Sequence, residues 1–206
     1  MEKRAYKYRL YPTPEQAHIL SRTFGCCRYV WNWALRLKSD AWMNDQRRVG
    51  YHDLSAELTK LKAQTETVWL NEVSSVPLQQ SLRNLDRAYQ NFFEGRARYP
   101  RFKSKHSHQS ATYVSTAFSW KNGQLALAKM TEPLNVRWSR RFKGKPSTVT
   151  ISKDPADQYF VSFLVEESIK CLPVSKKMIG VDLGLLDTVA TSEGSKFGNP
   201  RFFQKQ

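Results

Sequence analysis

Residues 6–16 read Tyr6-Lys7-Tyr8-Arg9-Leu10-Tyr11-Pro12-Thr13-Pro14-Glu15-Gln16, and the period of the pattern changes inside them. Over 4–11, Tyr6, Tyr8 and Leu10 fall on one side and Lys7 and Arg9 on the other, the alternation of a half-buried strand. Thr13-Pro14-Glu15-Gln16 then has the chemistry of a helix start: a hydroxyl cap, a proline in the first turn and a glutamine to close the capping box. Leu20, Phe24, Cys27, Trp31 and Leu35 follow at helical spacing, with Gly25 as the expected bend. A strand that feeds directly into a long amphipathic helix predicts an α+β chain.

Two more helices are expected before residue 95. One runs from about Asp53 with Leu54, Leu58 and Leu61 on one side. The other starts near Pro77, carries Leu78, Leu82, Leu85, Tyr89 and Phe92, and stops at Gly95. From Arg96 the period falls to two: Leu125/Leu127, Leu134/Val136/Trp138, Val149/Ile151 and Tyr159/Val161/Phe163/Val165. Short strands with turn residues between them predict a small antiparallel barrel, which the first strand joins across the intervening helices. After a linker, Met178–Asp182 reads as a buried strand and Asp187–Thr191 as the next, with a turn at Glu193-Gly194 and no further strand. The boundaries expected are 1–12, first barrel strand; 13–95, a helical, helix-turn-helix-like lobe; 96–172, the rest of the barrel; 173–177, linker; 178–206, an incomplete further domain.

Charge narrows the function. The 206 residues carry a formal net charge of +15. Segment 96–145 holds twelve Lys/Arg against Glu132 alone, a surplus of eleven in a quarter of the chain. Such self-repulsion in a compact state implies a polyanionic partner. No apolar run is long enough to span a bilayer, and MEKRAYKYRL lacks the apolar stretch of a secretory signal. Nucleic acid in the cytoplasm, with no membrane, is therefore the expected setting. Cys26, Cys27 and Cys171 form neither a disulfide framework nor a CxxC zinc pair, so zinc is not expected.

The candidate phosphate contacts are Arg98, Arg101, Lys103, Lys105, Arg140, Arg141, Lys143 and Lys145. Among them lie His106, His108, Tyr113, Phe118 and Trp120, rings of the kind that stack on unpaired bases. Core packing is the expected place of Phe102, Phe118 and Trp138. On the third helix, Gln79, Gln80, Arg83, Asn84 and Arg87 share a polar face; Gln and Asn suit adenine edges, and Arg suits guanine or phosphate. An ordinary solvated helix face explains the same residues equally well. Asp182, in Gly-Val-Asp-x-Gly, places a carboxylate on an apolar strand, where a divalent cation would compensate its charge. Asp187 reads as structural.

Three stretches together resemble the TnpB/OrfB family of transposon-encoded RNA-guided DNA nucleases, relatives of type V CRISPR effectors. They are Tyr8–Gln16 with Phe24-Gly25 and Arg28-Tyr29-Val30-Trp31-Asn32; Leu78–Leu85 through Ala88-Tyr89 and Phe92-Phe93 to Tyr99-Pro100-Arg101-Phe102-Lys103; and Ile179-Gly180-Val181-Asp182-Leu183-Gly184. The resemblance implies a wedge β-barrel split by a helical recognition lobe, followed by the first strands of an RNase H-like RuvC nuclease domain. It implies a guide RNA and double-stranded target DNA as partners, and a flanking-motif reader built from the third helix and the region of Tyr51. It also implies magnesium or manganese at Asp182. Family members are longer and supply two more RuvC carboxylates and usually a zinc ribbon, so this polypeptide is expected to bind nucleic acid without cutting it. The alternative within the family is a nuclease-derived, RNA-guided repressor, against which the retained Asp182 argues. A general RNA-binding barrel protein leaves the aspartate strand unexplained.

Overall fold

The computed structural model describes residues 2–168, 174 and 176–201. Cys171 and the linker positions Pro173 and Ser175 lie outside the described residues. The chain forms two compact units, Met1–Ile169 and Lys170–Gln206.

In the first unit, β1 (Glu2–Leu10) leads into α1 (Pro14–Asp45). Thr13 is extended (φ −64°, ψ 164°), and its Oγ1 accepts from the Gln16 N–H at 3.3 Å while Gln16 Oε1 accepts from the Thr13 N–H at 3.1 Å. Both donors would otherwise be orphans of the first turn. Gln16 is buried, and its Nε2 also donates to the Glu132 and Pro133 carbonyls, which fastens the helix start to a loop more than a hundred residues away. Leu20, Phe24, Cys27, Trp31 and Leu35 are all buried. The helix continues through Gly25 without interruption; that turn meets no steric demand for a bend, since a Cβ there would find no atom within 4 Å.

Helix α2 (Tyr51–Ala63) begins two residues before Asp53, whose Oδ2 accepts from the Gly50 N–H at 2.9 Å. A 3-10 helix (Thr65–Asn71), which no periodicity announces, precedes α3 (Ser75–Phe93). Leu54, Leu58, Leu61, Leu78, Leu82, Leu85 and Tyr89 are buried between the helices. Ser81, also buried, donates to the Cys27 carbonyl at 2.9 Å, a polar tie between α1 and α3. Burial pushes the Cys26 thiol up to about 11 and Cys27 to about 12, as for inert core cysteines.

The sheet comprises β2 (Gln109–Val114), β5 (Val136–Arg137), β6 (Pro146–Lys153), β7 (Tyr159–Glu167) and β1, with β3 (Phe118–Lys121) and β4 (Gln124–Leu127) as a separate hairpin. The order β2-β6-β7-β1-β5 is antiparallel throughout, and β1 pairs with β7 from Glu2↔Glu167 to Leu10↔Tyr159. The first strand therefore joins the sheet across the helices. Closure into a barrel is not seen among the described residues. The end strand β5 spans only two residues and β2 does not pair with it; the hairpin reaches the β5 side through a single bridge, Leu125↔Leu134.

Paired residues share a face. One face presents Tyr8, Leu10, Val149, Ile151, Val161, Phe163 and Val165 to the core. Phe163 is its hub, with ring centroids 5.1 Å from Trp120, 5.3 Å from Phe142, 5.6 Å from Trp138 and 5.9 Å from Tyr8. Trp138 was expected on a strand; it lies beyond β5, partly exposed but packed on this cluster. Tyr113, expected to be available for stacking, is fully buried facing Thr23 and Cys27 of α1, because β2 places it on the helix side of the sheet.

The second unit is a three-stranded antiparallel sheet, β10-β9-β8, of β8 (Val181–Asp182), β9 (Asp187–Thr191) and β10 (Lys196–Gly198). Gly194 turns the β9–β10 hairpin at φ +82°. Strand β10 is one more than expected: after the turn, Lys196 and Phe197 pair with Ala190 and Val189. The strand at Asp182 was expected to be buried. It is exposed, with Val181 57 % accessible, since the two residues of β8 pair on one side only.

The joint at Gln16 generates a stability prediction. Gln16→Ala removes one half of the capping box together with both long-range bonds to the Glu132 and Pro133 carbonyls, whereas Thr13→Ala removes a cap worth about 1 kcal/mol. Urea titration is expected to show Gln16→Ala as the more damaging, at about 1–3 kcal/mol. Equal or smaller loss than Thr13→Ala would show that the long-range bonds add nothing.

Candidate nucleic-acid interface

The basic segment divides by position. Arg98, Arg101 and Lys105 are exposed on the strand-free stretch between α3 and β2. Lys103, between them, is different. Its ammonium sits 4.0 Å from the centre of the Trp31 ring, and its backbone N–H donates to Asn32 Oδ1 at 2.8 Å while its carbonyl accepts from Asn32 Nδ2 at 3.0 Å. Burial lowers the Lys103 pKa, opposed by the nearby Cys27. Lys103 thus belongs partly to the fold.

Arg140, Arg141, Lys143 and Lys145 gather between β5 and β6 and are all exposed. The Arg140 guanidinium lies 5.3 Å from the Tyr6 ring, while Arg141, Phe142 and Lys143 line a shallow cleft of about 400 Å³ with Tyr6 and Glu167. Glu167 is shared: its carboxylate accepts from the Tyr6 hydroxyl at 2.8 Å and from the Lys143 N–H at 3.2 Å. Burial raises the Tyr8 phenol, opposed by the nearby Arg140. Among the described residues no ion pair occupies Arg98, Arg101, Lys105, Arg140, Arg141, Lys143 or Lys145. His106 and His108 are exposed beside this tract, whereas Phe118 and Trp120 pack on the core.

On α3, Gln79, Arg83, Asn84 and Arg87 are exposed and Gln80 half-buried, along one side of the helix. The structure brings Tyr51, at the first turn of α2, against this side: the Arg83 guanidinium lies 4.4 Å from the Tyr51 ring. Stacking on a ring holds the fork in place while leaving its N–H groups for a ligand.

Asp182 pairs with Ala190 on the exposed hairpin. Among the described residues no three His, Cys, Asp or Glu side chains converge as metal ligands. Asp182 with its present neighbours does not make a metal centre, so no catalytic step is assigned to these residues.

Sequence reasoning missed a larger concavity of about 670 Å³ on the outer side of α1, lined by Tyr29, Trp33, Trp69 and Phe102 with Arg22 and Arg28. Its one legible signal was Tyr29 and Trp33 standing outside the buried stripe. Phe102 was expected in the core; it is 63 % exposed, because hydrogen bonds to the residues on either side turn its ring outward.

A family profile described as "Helix-turn-helix domain" and named for OrfB of IS605 matches residues 1–47. A Streptomyces pristinaespiralis protein named "Putative RNA-guided DNA endonuclease" is 52 % identical over 202 residues, covering 97 % of this chain and 50 % of that protein. The chain belongs to the TnpB/OrfB family. A second relative, the Escherichia coli (strain K12) "Putative RNA-guided DNA endonuclease InsQ", is 33 % identical over 98 % of this chain and 50 % of its own length. "Virulence protein VsdF" of Salmonella dublin is 38 % identical over 112 residues, which is 50 % of this chain and 94 % of that protein. The chain spans about half the length of the two endonuclease-named relatives. In this TnpB/OrfB chain the profile-matched residues fold as β1 and α1; the next helix starts only at Tyr51. No helix among the described residues is long and apolar enough to cross a membrane.

Proposed function

We propose that these 206 residues are the nucleic-acid-binding part of an RNA-guided DNA endonuclease of the TnpB/OrfB family. The observation that carries this reading is the set of seven exposed cations at Arg98, Arg101, Lys105, Arg140, Arg141, Lys143 and Lys145, which no carboxylate neutralises among the described residues. A surface that needs charge only for solubility intersperses both signs. The names of the relatives support RNA and DNA as the polyanions. In this reading the tract 98–145 holds the guide RNA, and the α3 face with Tyr51 reads a short motif in the target duplex. Sheet β8–β10 is the opening of the RuvC domain, and Asp182 is one ligand of a magnesium or manganese site whose other carboxylates the described residues do not bring to it. The chain binds and does not cut. Retention of Asp182 favours this over a repressor, which has no use for it.

Affinity for a single-stranded RNA should fall steeply with salt, because each phosphate neutralised contributes about −0.7 to the slope of log K against log salt. Replacing Arg101, Lys105 and Arg141 by glutamine is expected to flatten that slope by about two. Lys103→Gln should move it least, since its ammonium is committed to Trp31. A salt-independent affinity, or a triple variant with the parent slope, would remove the assignment.

If Gln79 and Asn84 read base edges, alanine at either relaxes preference at one position of the flanking motif, at about 1–3 kcal/mol for each bidentate pair of hydrogen bonds removed. Binding measured across a library of motif variants distinguishes this from phosphate recognition, whose loss weakens all variants alike, and from a plain solvated face, which changes nothing.

Purified chain with RNA, a matched plasmid and magnesium or manganese is expected to leave the plasmid supercoiled. Two-metal hydrolysis needs several converging carboxylates. Nicking or linearisation that disappears in Asp182→Ala would refute this.

A further inference from the structure

Helix α1 carries two stripes. The first is core. The second faces outward, where an amphipathic helix ordinarily presents charged and small polar groups. Here it presents Tyr29 and Trp33 between Arg22 and Arg36, with Gly25 at the floor of the 670 Å³ cleft. Trp69, from the 3-10 helix, forms the facing wall, its ring 5.1 Å from Tyr29 and edge-on to it.

Phe102 stands at the rim. Trp31 Nε1 donates to the Arg101 carbonyl at 2.9 Å, and Asn32 both donates to and accepts from Lys103. Three hydrogen bonds thus immobilise the residues on either side of an apolar ring that remains 63 % exposed. The fold gains little from an exposed ring, but a flat ligand gains much from one already held in place. The two family-like stretches, Arg28–Asn32 and Tyr99–Lys103, meet at this rim.

The polar groups suit a nucleotide. Arg22 is ion-paired with Glu72, and Arg28 donates to Gln109 Oε1 at 3.0 Å; each keeps further N–H groups of its five-donor fork. Three guanidiniums, those of Arg22, Arg28 and Arg36, line the cleft against one carboxylate, Glu72. The cleft lies within the usual size range of ligand sites, about 300–1,000 Å³. Rings for a base face and guanidiniums for a phosphate match the way unpaired bases of RNA are held.

We propose that this cleft captures one unpaired nucleotide of single-stranded RNA, its base stacked on Phe102 and Tyr29 and its phosphate at Arg22 and Arg28. The inference rests on the reading that the chain binds RNA, and it adds to the basic tract a stacking site at Phe102, between Arg101 and Lys103.

The test uses the full 206-residue chain and a single-stranded RNA oligonucleotide carrying one 2-aminopurine. Binding is expected to quench the fluorophore. Phe102→Ala should remove most of the quench and weaken binding about tenfold, the scale of one base–aromatic stack, while leaving the salt slope unchanged. Phe102→Trp should keep both signals. Gly25→Leu fills the floor and favours the helix over glycine, so it should act like Phe102→Ala with no loss of folding. Ordinary salt-dependent binding that ignores Phe102→Ala and Gly25→Leu overturns this proposal alone. An equal or larger Phe102-dependent change with DNA of the same sequence overturns the assignment to RNA. A parent chain that binds no RNA overturns both this and the reading beneath it.

Discussion

Strand β1 pairs with β7 along its whole length, Glu2 against Glu167 through Leu10 against Tyr159, and everything between them has to leave the sheet and return. Joining residues so far apart in sequence costs chain entropy that grows only slowly with loop length, and a nine-residue ladder with a buried face outweighs it. The arrangement makes the helices an inclusion in a sheet. It also places Thr13 at the point where the chain turns from strand to helix. The Gln16 amide, by holding both the cap and the Glu132–Pro133 carbonyls, ties that turn to the approach to β5. Tyr8, on β1, then packs against Phe163 of β7, so hydrogen-bonded pairing and the aromatic core reinforce each other.

Within this frame the cations divide into two populations. Some serve the fold. Lys103 lies on Trp31; Lys38, largely buried, reaches Asp86 at 3.4 Å and lies 4.9 Å from the Tyr89 ring; and Lys153, its pKa raised chiefly by Asp157, closes the β6–β7 turn. Arg98, Arg101, Lys105, Arg140, Arg141, Lys143 and Lys145 have no carboxylate to answer them among the described residues. Exposed ion pairs such as Arg36–Asp40 or Lys60–Glu57 contribute at most about 1 kcal/mol, so leaving seven cations unpaired costs the fold little in lost bridges. In the proposed complex, phosphate would relieve their mutual repulsion, which makes binding and salt dependence two views of one effect.

The helix termini bring together groups that lie far apart in the chain. Tyr51 is the first residue of α2 and Arg83 is in the middle of α3, and only the packing of the two helices sets the ring beneath the guanidinium. The outer cleft of α1 is built the same way, from one helix face, a 3-10 turn and a pinned extended segment. By contrast, β8–β10 presents Asp182 on an exposed hairpin, and among the described residues no cluster of metal-ligating side chains gathers around it.

Local patterns disclosed a good deal. The alternation at 4–11, the capping residues Thr13 to Gln16, the leucine stripes of α2 and α3, the strands β4, β6, β7 and β9, and the turn at Gly194 are each set by interactions within a few residues, so they can be read from order alone. The charge surplus was equally plain, because net charge needs no fold. Where three-dimensional neighbours decide, the sequence was silent or misleading. Phe102 looked like core and is held outward; Tyr113 looked available and is buried; Asp182 looked buried and is exposed; the barrel remained an open sheet because β5 is too short to pair further. A ring's burial depends on what packs over it, and a strand's partners depend on segments many tens of residues away. Periods of 2 and 3.6 therefore determined the elements, and the charge surplus pointed to the class of partner proposed above. Only the tertiary structure decided which rings and guanidiniums converge, because that convergence is a property of packed surfaces rather than of neighbouring residues.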